Sequence, residues 1–318
     1  IIKVSIMPNF PVIFLMGPTA SGKTDTALYL ADHFPCHLIS CDSALIYRDM
    51  DIGTAKPSKE ILTSYPHALV DILSPMERYS AEQFRQDARA EIEKARALGK
   101  MPVIVGGTFL YMKSLIEGIS PIPEVKPEIR EAVIARHHTE GIEPLYRELQ
   151  QLDPISAERL APADTQRILR ALEVVLSSGQ TLNDFWKMPS KEALEYPYLK
   201  FALTYQDIQR ANNAMAKRFH QMIDDGFIAE VEQLKAKYPE LNGDYPSQRA
   251  VGYRQIWDYL DGLMTKDEAI ERAIIATRQY AKRQRTWLRS ETNVLPMSVE
   301  SPDFRLEIYN AIESAVTA

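Results

Sequence analysis

Cysteine is scarce: the 318 residues hold only Cys36 and Cys41. Their spacing fits no zinc pattern, and no histidine pair follows at ligand distance. A zinc finger or ribbon is therefore excluded, and two reduced, buried thiols are expected. Long apolar runs are missing too; none approaches the roughly 20 residues that span a bilayer. Ile1 to Phe10 carries one lysine and a short apolar stretch broken by Pro8, which makes no signal-peptide core. No membrane association and a cytoplasmic location are expected. Net positive charge is also absent. The formal charge is -6, so any surface for a polyanion has to come from local clustering of basic residues. Internal repeats and low-complexity tracts are lacking, which leaves an ordinary globular chain.

Periodicity supplies an α/β pattern. Val12 to Met16 is a continuous apolar run ending at a glycine, the mark of a buried parallel strand. Lys23 to Phe34 follows with helical spacing. Leu38 to Ser40, Ala68 to Leu73, Val103 to Val105 and Leu199 to Tyr205 read as further strands. Ser80 and Gln83 form a capping box for a helix that stops before Gly99. Thr108 to Glu117 reads as a helix stopped by Gly118. Strands alternating with helices predict a P-loop NTPase-like parallel sheet core covered by helices. Pro121, Pro123 and Pro127 make a stiff linker. Beyond them the pattern is helical to about Trp186, with Asp164 capping a helix that ends at Gly179. The chain thus divides into a catalytic core of residues 1–122 and 196–318 and an all-helical insertion of residues 123–195. Asp207 caps a helix running to about Ile223. Thr265 and Glu268 form a capping box for a long one reaching Arg289, and the rest of the C-terminal part reads as mostly helical.

The strongest local signal is Gly17-Pro18-Thr19-Ala20-Ser21-Gly22-Lys23-Thr24, a complete G-x-x-x-x-G-K-S/T loop between a buried strand and a helix. Glycines let backbone N–H groups close around phosphate oxygens, and the helix N-terminus adds positive potential. Lys23 supplies a point charge, and the Thr24 hydroxyl can bind Mg²⁺. The loop predicts phosphate binding without saying which molecule carries it. No run of four apolar residues ends in a strand aspartate, which disfavours a motor ATPase. A small-molecule kinase, a diphosphate-releasing transferase and an RNA-binding protein with a relic loop all stay open. Asp42 follows the second strand, where the carboxyl ends of an open α/β sheet line the crevice, so it is expected near the phosphate loop. A turn or cap aspartate is the plainer alternative.

Basic residues cluster on predicted helices despite the acidic total. Arg278, Lys282, Arg285 and Arg289 fall at i, i+4, i+7 and i+11 and form one stripe. Tyr280 and Trp287 lie on the opposite side with Ala273 and Ala276, the side expected to pack. Arg167 and Arg170 are three apart and share a face. Arg218 is open to a surface ion pair with Asp224 or Asp225, and Thr108 to a role as helix cap. His67 reads as structural.

The stretch Asp42 to Pro57 (DSALIYRDMDIGTAKP), taken with the phosphate loop, closely resembles the tRNA dimethylallyltransferase (tRNA isopentenyltransferase) family. Val105 to Thr108 with Leu110-Tyr111, Asp164 to Glu173, Arg218-Phe219, Arg249 to Gln255 and Ala276 to Arg289 extend the resemblance over roughly residues 11 to 290. It implies a Mg²⁺-dependent transfer of a dimethylallyl group from dimethylallyl diphosphate to N6 of adenosine 37 in the tRNA anticodon loop. The protein would act as a monomer. Thr19 to Thr24 would hold the diphosphate, Asp42 would be the general base, and Thr108 and Arg218 would assist near the reacting groups. Contacts to the tRNA anticodon stem-loop are implied for Asp42, Ser43, Ala44, Leu45, Thr108 and Arg130. The same holds for Gln166, Arg167, Ile168, Leu169 and Arg170, for Ser247, Gln248, Arg249, Ala250, Val251 and Gly252, and for Tyr280, Ala281, Lys282, Arg283, Gln284, Arg285, Thr286 and Trp287. Leu45 departs from the glutamine common in the family, which makes that contact apolar. The zinc finger of eukaryotic members is absent, which points to a bacterial form.

Overall fold

The computed structural model describes residues 10–190 and 192–317. The reading of Ile1 to Phe10 lies, Phe10 apart, outside the described residues. The chain divides into two compact units, one made of Ile1–Leu115 with Glu195–Ala318 and the other of Ile116–Leu194.

The first unit is built on β1 (Val12–Met16), α1 (Lys23–His33), β2 (Cys36–Cys41), α2 (Lys59–Ser64), β3 (His67–Ala68), α3 (Ala81–Ala97) and β4 (Met101–Gly106). Helix α4 (Phe109–Glu117) leads out of it. The six-stranded sheet has the order β3-β2-β4-β1-β5-β6, and every strand pair is parallel. All five residues of β1 are buried. An unbroken apolar run is what a strand covered on both faces requires. On one side, Ile13 and Leu15 pack with Ala27 and Leu30 of α1 and with Phe304, Ile308 and Ile312 near the C-terminus.

Helices α5 (Pro127–Glu140), α6 (Ile142–Leu152), α7 (Pro154–Arg159), α8 (Thr165–Ser178) and α9 (Leu182–Lys187) make up the second unit. Among its described residues, regular structure beyond the end of α4 is all helical. Leu145 and Leu149 pack on Ile168, Ala171 and Leu172. The buried Asp153 carboxylate caps two helices, accepting from Ser156 N at 3.1 Å and from Leu182 N at 3.2 Å. Asp164 caps α8, and Gly179 closes it in the left-handed region. The unit begins at Ile116, inside α4, rather than at the prolines that follow.

The chain then returns through β5 (Tyr198–Thr204), α10 (Ile208–Asp224), α11 (Phe227–Lys237), α12 (Tyr253–Leu260), α13 (Lys266–Ser290), β6 (Val294–Ser298) and α14 (Phe304–Thr317). The two capping boxes predicted at Ser80 and Thr265 are both formed. One expectation fails, and one strand has no counterpart in the sequence reading. The strand predicted over Ala68 to Leu73 ends at Ala68, because Leu69 and Asp71 adopt left-handed conformations that end pairing. β6 interrupts a C-terminal part that reads as mostly helical. Its Pro296 masks the strand pattern, and an edge strand is the place a sheet tolerates proline.

A candidate active site at the strand ends

A cavity of about 670 Å³ opens at the carboxyl ends of the strands in the first unit. The segments after five strands line it: Thr19 to Asp25 after β1, Asp42 after β2, Gly107 after β4, Tyr205 after β5 and Val299 after β6. This convergence follows from the topology. In a parallel sheet the loops at one end all face one crevice, and β1 sits at the point where the strand order reverses.

The phosphate loop is shaped for an anion. Gly22 is the N-cap of α1 at φ 76°, a conformation glycine adopts without strain, and no side chain caps the helix. The first N–H groups of α1 therefore lie open where an anion is stabilised. The hydroxyl of Ser21 is buried without a hydrogen-bond partner among the described residues, and Ser21 lines the cavity. Lys23 folds back and donates to Pro18 O at 2.7 Å. Burial lowers its pKa to about 8, with the Arg218 charge acting in the same direction and Asp42 opposing. A lysine with so little solvation is poised to gain from an incoming phosphate.

Asp42 is held by its own turn. Its Oδ1 accepts from Ala44 N at 2.9 Å and from Leu45 N at 3.4 Å. Thr108, just before α4, spends its side chain on the neighbouring loop rather than on capping. Its Oγ1 accepts from Ser43 N at 3.0 Å. It thereby ties the end of β2 to the end of β4. Arg218, on α10, lines the same cavity and makes no ion pair with Asp224 or Asp225. Burial lowers its pKa, and the carboxylates of Asp42 and Asp25 oppose that shift. The Tyr280 phenol also lines the cavity, and burial followed by the Asp42 charge raises its pKa. Cationic and anionic side chains thus meet in one crevice. Both thiols are inert by comparison: burial pushes Cys36 up to about 12 and Cys41 well above its usual range. His67 also lines the cavity, with a pKa lowered by burial and Nδ1 tied to Tyr65 O at 2.7 Å.

Residues 45–291 match the family model described as IPP transferase. The chain belongs to the IPP transferase family. It is 32% identical to the full-length tRNA isopentenylpyrophosphate transferase of Bacillus halodurans, over 96% of this chain and 97% of that one, with a TM-score of 0.70. It is 30% identical to the tRNA delta(2)-isopentenylpyrophosphate transferase of Staphylococcus epidermidis, over 96% and 99%, with a TM-score of 0.69. A eukaryotic dimethylallyltransferase shares the fold at 24% identity and a TM-score of 0.76, over 96% of this chain and 77% of that one.

In this IPP transferase the residues expected to contact tRNA are not all at the surface. Ile168, Ser247, Gln248, Gly252, Ala281 and Gln284 are buried, and Gln284 lines the cavity. A contiguous strip of helix turns part of itself inward every few residues. Ser247 instead donates to Pro75 O at 2.6 Å, and Ala281 packs on Ala211 and Met215. Arg130, Gln166, Arg167, Leu169 and Arg170 stay at least partly accessible, as do Ser43 to Leu45 and Arg249 to Val251. Arg167 pairs with Asp164, while Arg130 and Arg170 both approach Glu173.

On α13 the inward side consists of Ala269, Ala273, Ile274, Ala281, Gln284 and Leu288. Trp287, expected to pack, is 37% exposed, with the Lys113 ammonium 5.8 Å from its ring centre. Arg278, Lys282, Arg283, Arg285 and Arg289 form no salt bridge among the described residues. Arg136, Arg147 and Arg210, on other helices, are each paired. Unpaired like charges on one helix repel, and a polyanion relieves that.

Among the cavity residues that escape sequence reasoning, two carry unpartnered buried polar atoms. Arg305, at the start of α14, lines the cavity with a buried Nε that has no hydrogen-bond partner among the described residues, and it lies beyond the residues the family model matches. Ser40, inside β2, also lines the cavity, with a buried hydroxyl that has no partner among the described residues. Neither belongs to a motif, so only the fold shows that they face the phosphate loop.

Proposed function

We propose that this transferase moves a dimethylallyl group from dimethylallyl diphosphate to N6 of adenosine 37 of tRNA. The observation that carries this reading is the meeting of the phosphate loop, Lys23 and Arg218 with the Asp42 carboxylate in one cavity. The N–H groups of Thr19 to Thr24, with Lys23, hold the diphosphate, and Arg218 adds charge where the leaving group becomes more negative. The N6 amine attacks the first carbon of the donor. The N–C bond forms as the C–O bond to diphosphate breaks, and the proton leaves N6 for Asp42. An exocyclic amine is a weak nucleophile because its lone pair is delocalised, but it turns acidic as the bond forms. A carboxylate then suffices as base. Thr108 holds the loop that carries Asp42, and Tyr280 offers a ring to the adenine.

The residues present fit a Mg²⁺ ion carried by the substrate. Among the described residues, no cluster of three His, Cys, Asp or Glu side chains forms a dedicated metal cage. The Thr24 hydroxyl and Asp42 both line the cavity, and Mg²⁺ needs only one or two protein oxygens when phosphates and water supply the rest. Thr24 would hold it, and when bound it neutralises charge on the diphosphate.

An anticodon-loop base can be extruded at lower cost than a paired one. The unpaired cations of α13, with Arg130, Arg167 and Arg170 of the helical unit, supply contacts to RNA phosphates. No described helix is long and apolar enough to cross a membrane, and we place the reaction in the cytoplasm, with a monomer as the active species.

A direct assay mixes the protein with Mg²⁺ and unmodified tRNA, adding either dimethylallyl diphosphate or ATP. We expect the tRNA to gain the mass of one dimethylallyl group with the first donor only. Phosphate transfer or ATP turnover would replace this reading with a kinase, and RNA binding without product would replace it with a non-catalytic binder.

A further inference from the structure

Gln284 falls within the stretch expected to meet tRNA, yet it is 4% exposed. Its side-chain amide is used at both ends. Oε1 accepts from the backbone N–H of Thr19 at 3.0 Å, and Nε2 donates to the carbonyl of Gly107 at 2.9 Å. An amide so held has one orientation. Gly107 admits this approach only because it has no side chain. A Cβ there would collide with Nε2 of Gln284 and lie 3.1 Å from Gly17 O. Three segments therefore meet at one point: the phosphate loop, the loop after β4 and the C-terminal third of α13. A neighbouring contact repeats the link. Ala281, one turn earlier on α13, belongs to a small cluster with Ala211 and Met215, and Ala20 of the phosphate loop packs against it. The exposed sides of the same two turns bear Lys282 and Arg283, which form no ion pair among the described residues.

We infer that Gln284 is a positioning residue that fixes the phosphate loop to α13, so that RNA docking on α13 and anion binding in the cavity strengthen each other. The first half rests on the hydrogen bonds alone; the second rests on the proposed RNA contacts of α13. The physical argument is rigidity. A ligand that restrains α13 restrains Thr19 through Gln284, and diphosphate binding then orders fewer atoms. Linkage makes the effect reciprocal: diphosphate strengthens RNA binding by the factor by which RNA strengthens diphosphate binding.

The experiment uses the full chain, with inorganic pyrophosphate and an anticodon stem-loop RNA as probes, followed by calorimetry. Gln284→Met keeps the length of the side chain and removes both hydrogen bonds; Gly107→Ala leaves the amide in the chain but displaces it. Without RNA, we expect each variant to bind pyrophosphate about tenfold more weakly than the wild type, with thermal melting showing a folded protein. An unchanged affinity in a folded Gln284→Met protein overturns the positioning role. With RNA at saturation, we expect the wild type to bind pyrophosphate about fivefold more tightly and both variants to lose that factor. A wild type that binds both ligands independently, or a Gln284→Met protein that keeps the factor, overturns the coupling. If the wild type binds no RNA, the RNA reading of α13 fails with the coupling, and the RNA-free titration still decides the positioning role.

Discussion

Asp42→Ala is expected to lower single-turnover transfer by about two to four orders of magnitude, the usual effect of removing a positioned general base. Donor affinity should change far less. Two electrostatic consequences oppose one another there. Asp42 raises the Lys23 pKa, so its loss leaves Lys23 less often protonated and weakens its hold on phosphate. Its loss also removes an anion from a cavity that must accept another. Asp42→Asn should behave like the alanine variant, because the amide keeps the hydrogen bonds to the Ala44 and Leu45 N–H groups and cannot take a proton at neutral pH. Rapid-quench measurement of prenylated RNA, with pyrophosphate affinity measured separately, checks both halves. Near-normal single-turnover rates in both variants would remove Asp42 from the chemistry.

Lys23→Met should weaken pyrophosphate binding by about a hundredfold, the worth of a charge-assisted hydrogen bond of about 3 kcal/mol. The wild-type protein should show a matching pH dependence. In the free protein Lys23 loses its proton around pH 8, while a bound diphosphate stabilises the charged form and raises that pKa. Binding above pH 8 must then take up a proton, and affinity should fall by up to about tenfold per pH unit there. Calorimetry in buffers of different ionisation enthalpy measures that uptake. The same lysine should cost stability. A folded-state pKa below the unfolded one means the native protein binds fewer protons between about 8 and 10.5, so its stability rises with pH across that window and the cost is fully present below it. Lys23→Met should therefore raise the melting temperature at pH 7 by a few degrees while impairing binding. A variant that melts lower and still binds pyrophosphate normally would contradict both statements.

How much could be read in advance depended on how local each signal was. The buried strand β1, the glycine loop and the start of α1 are all encoded within a few residues, and the structure keeps them in register. Asp42 was legible as a crevice residue because parallel sheets place such residues at strand ends. β6 was hidden by Pro296 and by a half-exposed edge that breaks the apolar run. The short β3 was overestimated because nothing local to Leu69 and Asp71 announces a left-handed backbone. Along α13 the periodicity identified a basic stripe, but which side turns inward is set by α10, α12 and the phosphate loop. Trp287 was therefore placed on the packing side and is 37% exposed, while Gln284, implied as an RNA contact by the resemblance, is 4% exposed. Arg305 had no local mark at all. Its position depends on α14 packing beside α1 after the chain has crossed the whole sheet.

The claim on which the account rests is that one cavity holds a departing diphosphate against an attacking adenine amine. The most direct test compares two anticodon stem-loop RNAs, one with adenosine at position 37 and one with purine riboside there, which lacks the exocyclic amine. With dimethylallyl diphosphate as donor, pyrophosphate release is followed in a single turnover. The account predicts release in step with prenylation for adenosine and none for purine riboside, with both RNAs bound. Equal release from the two would contradict it.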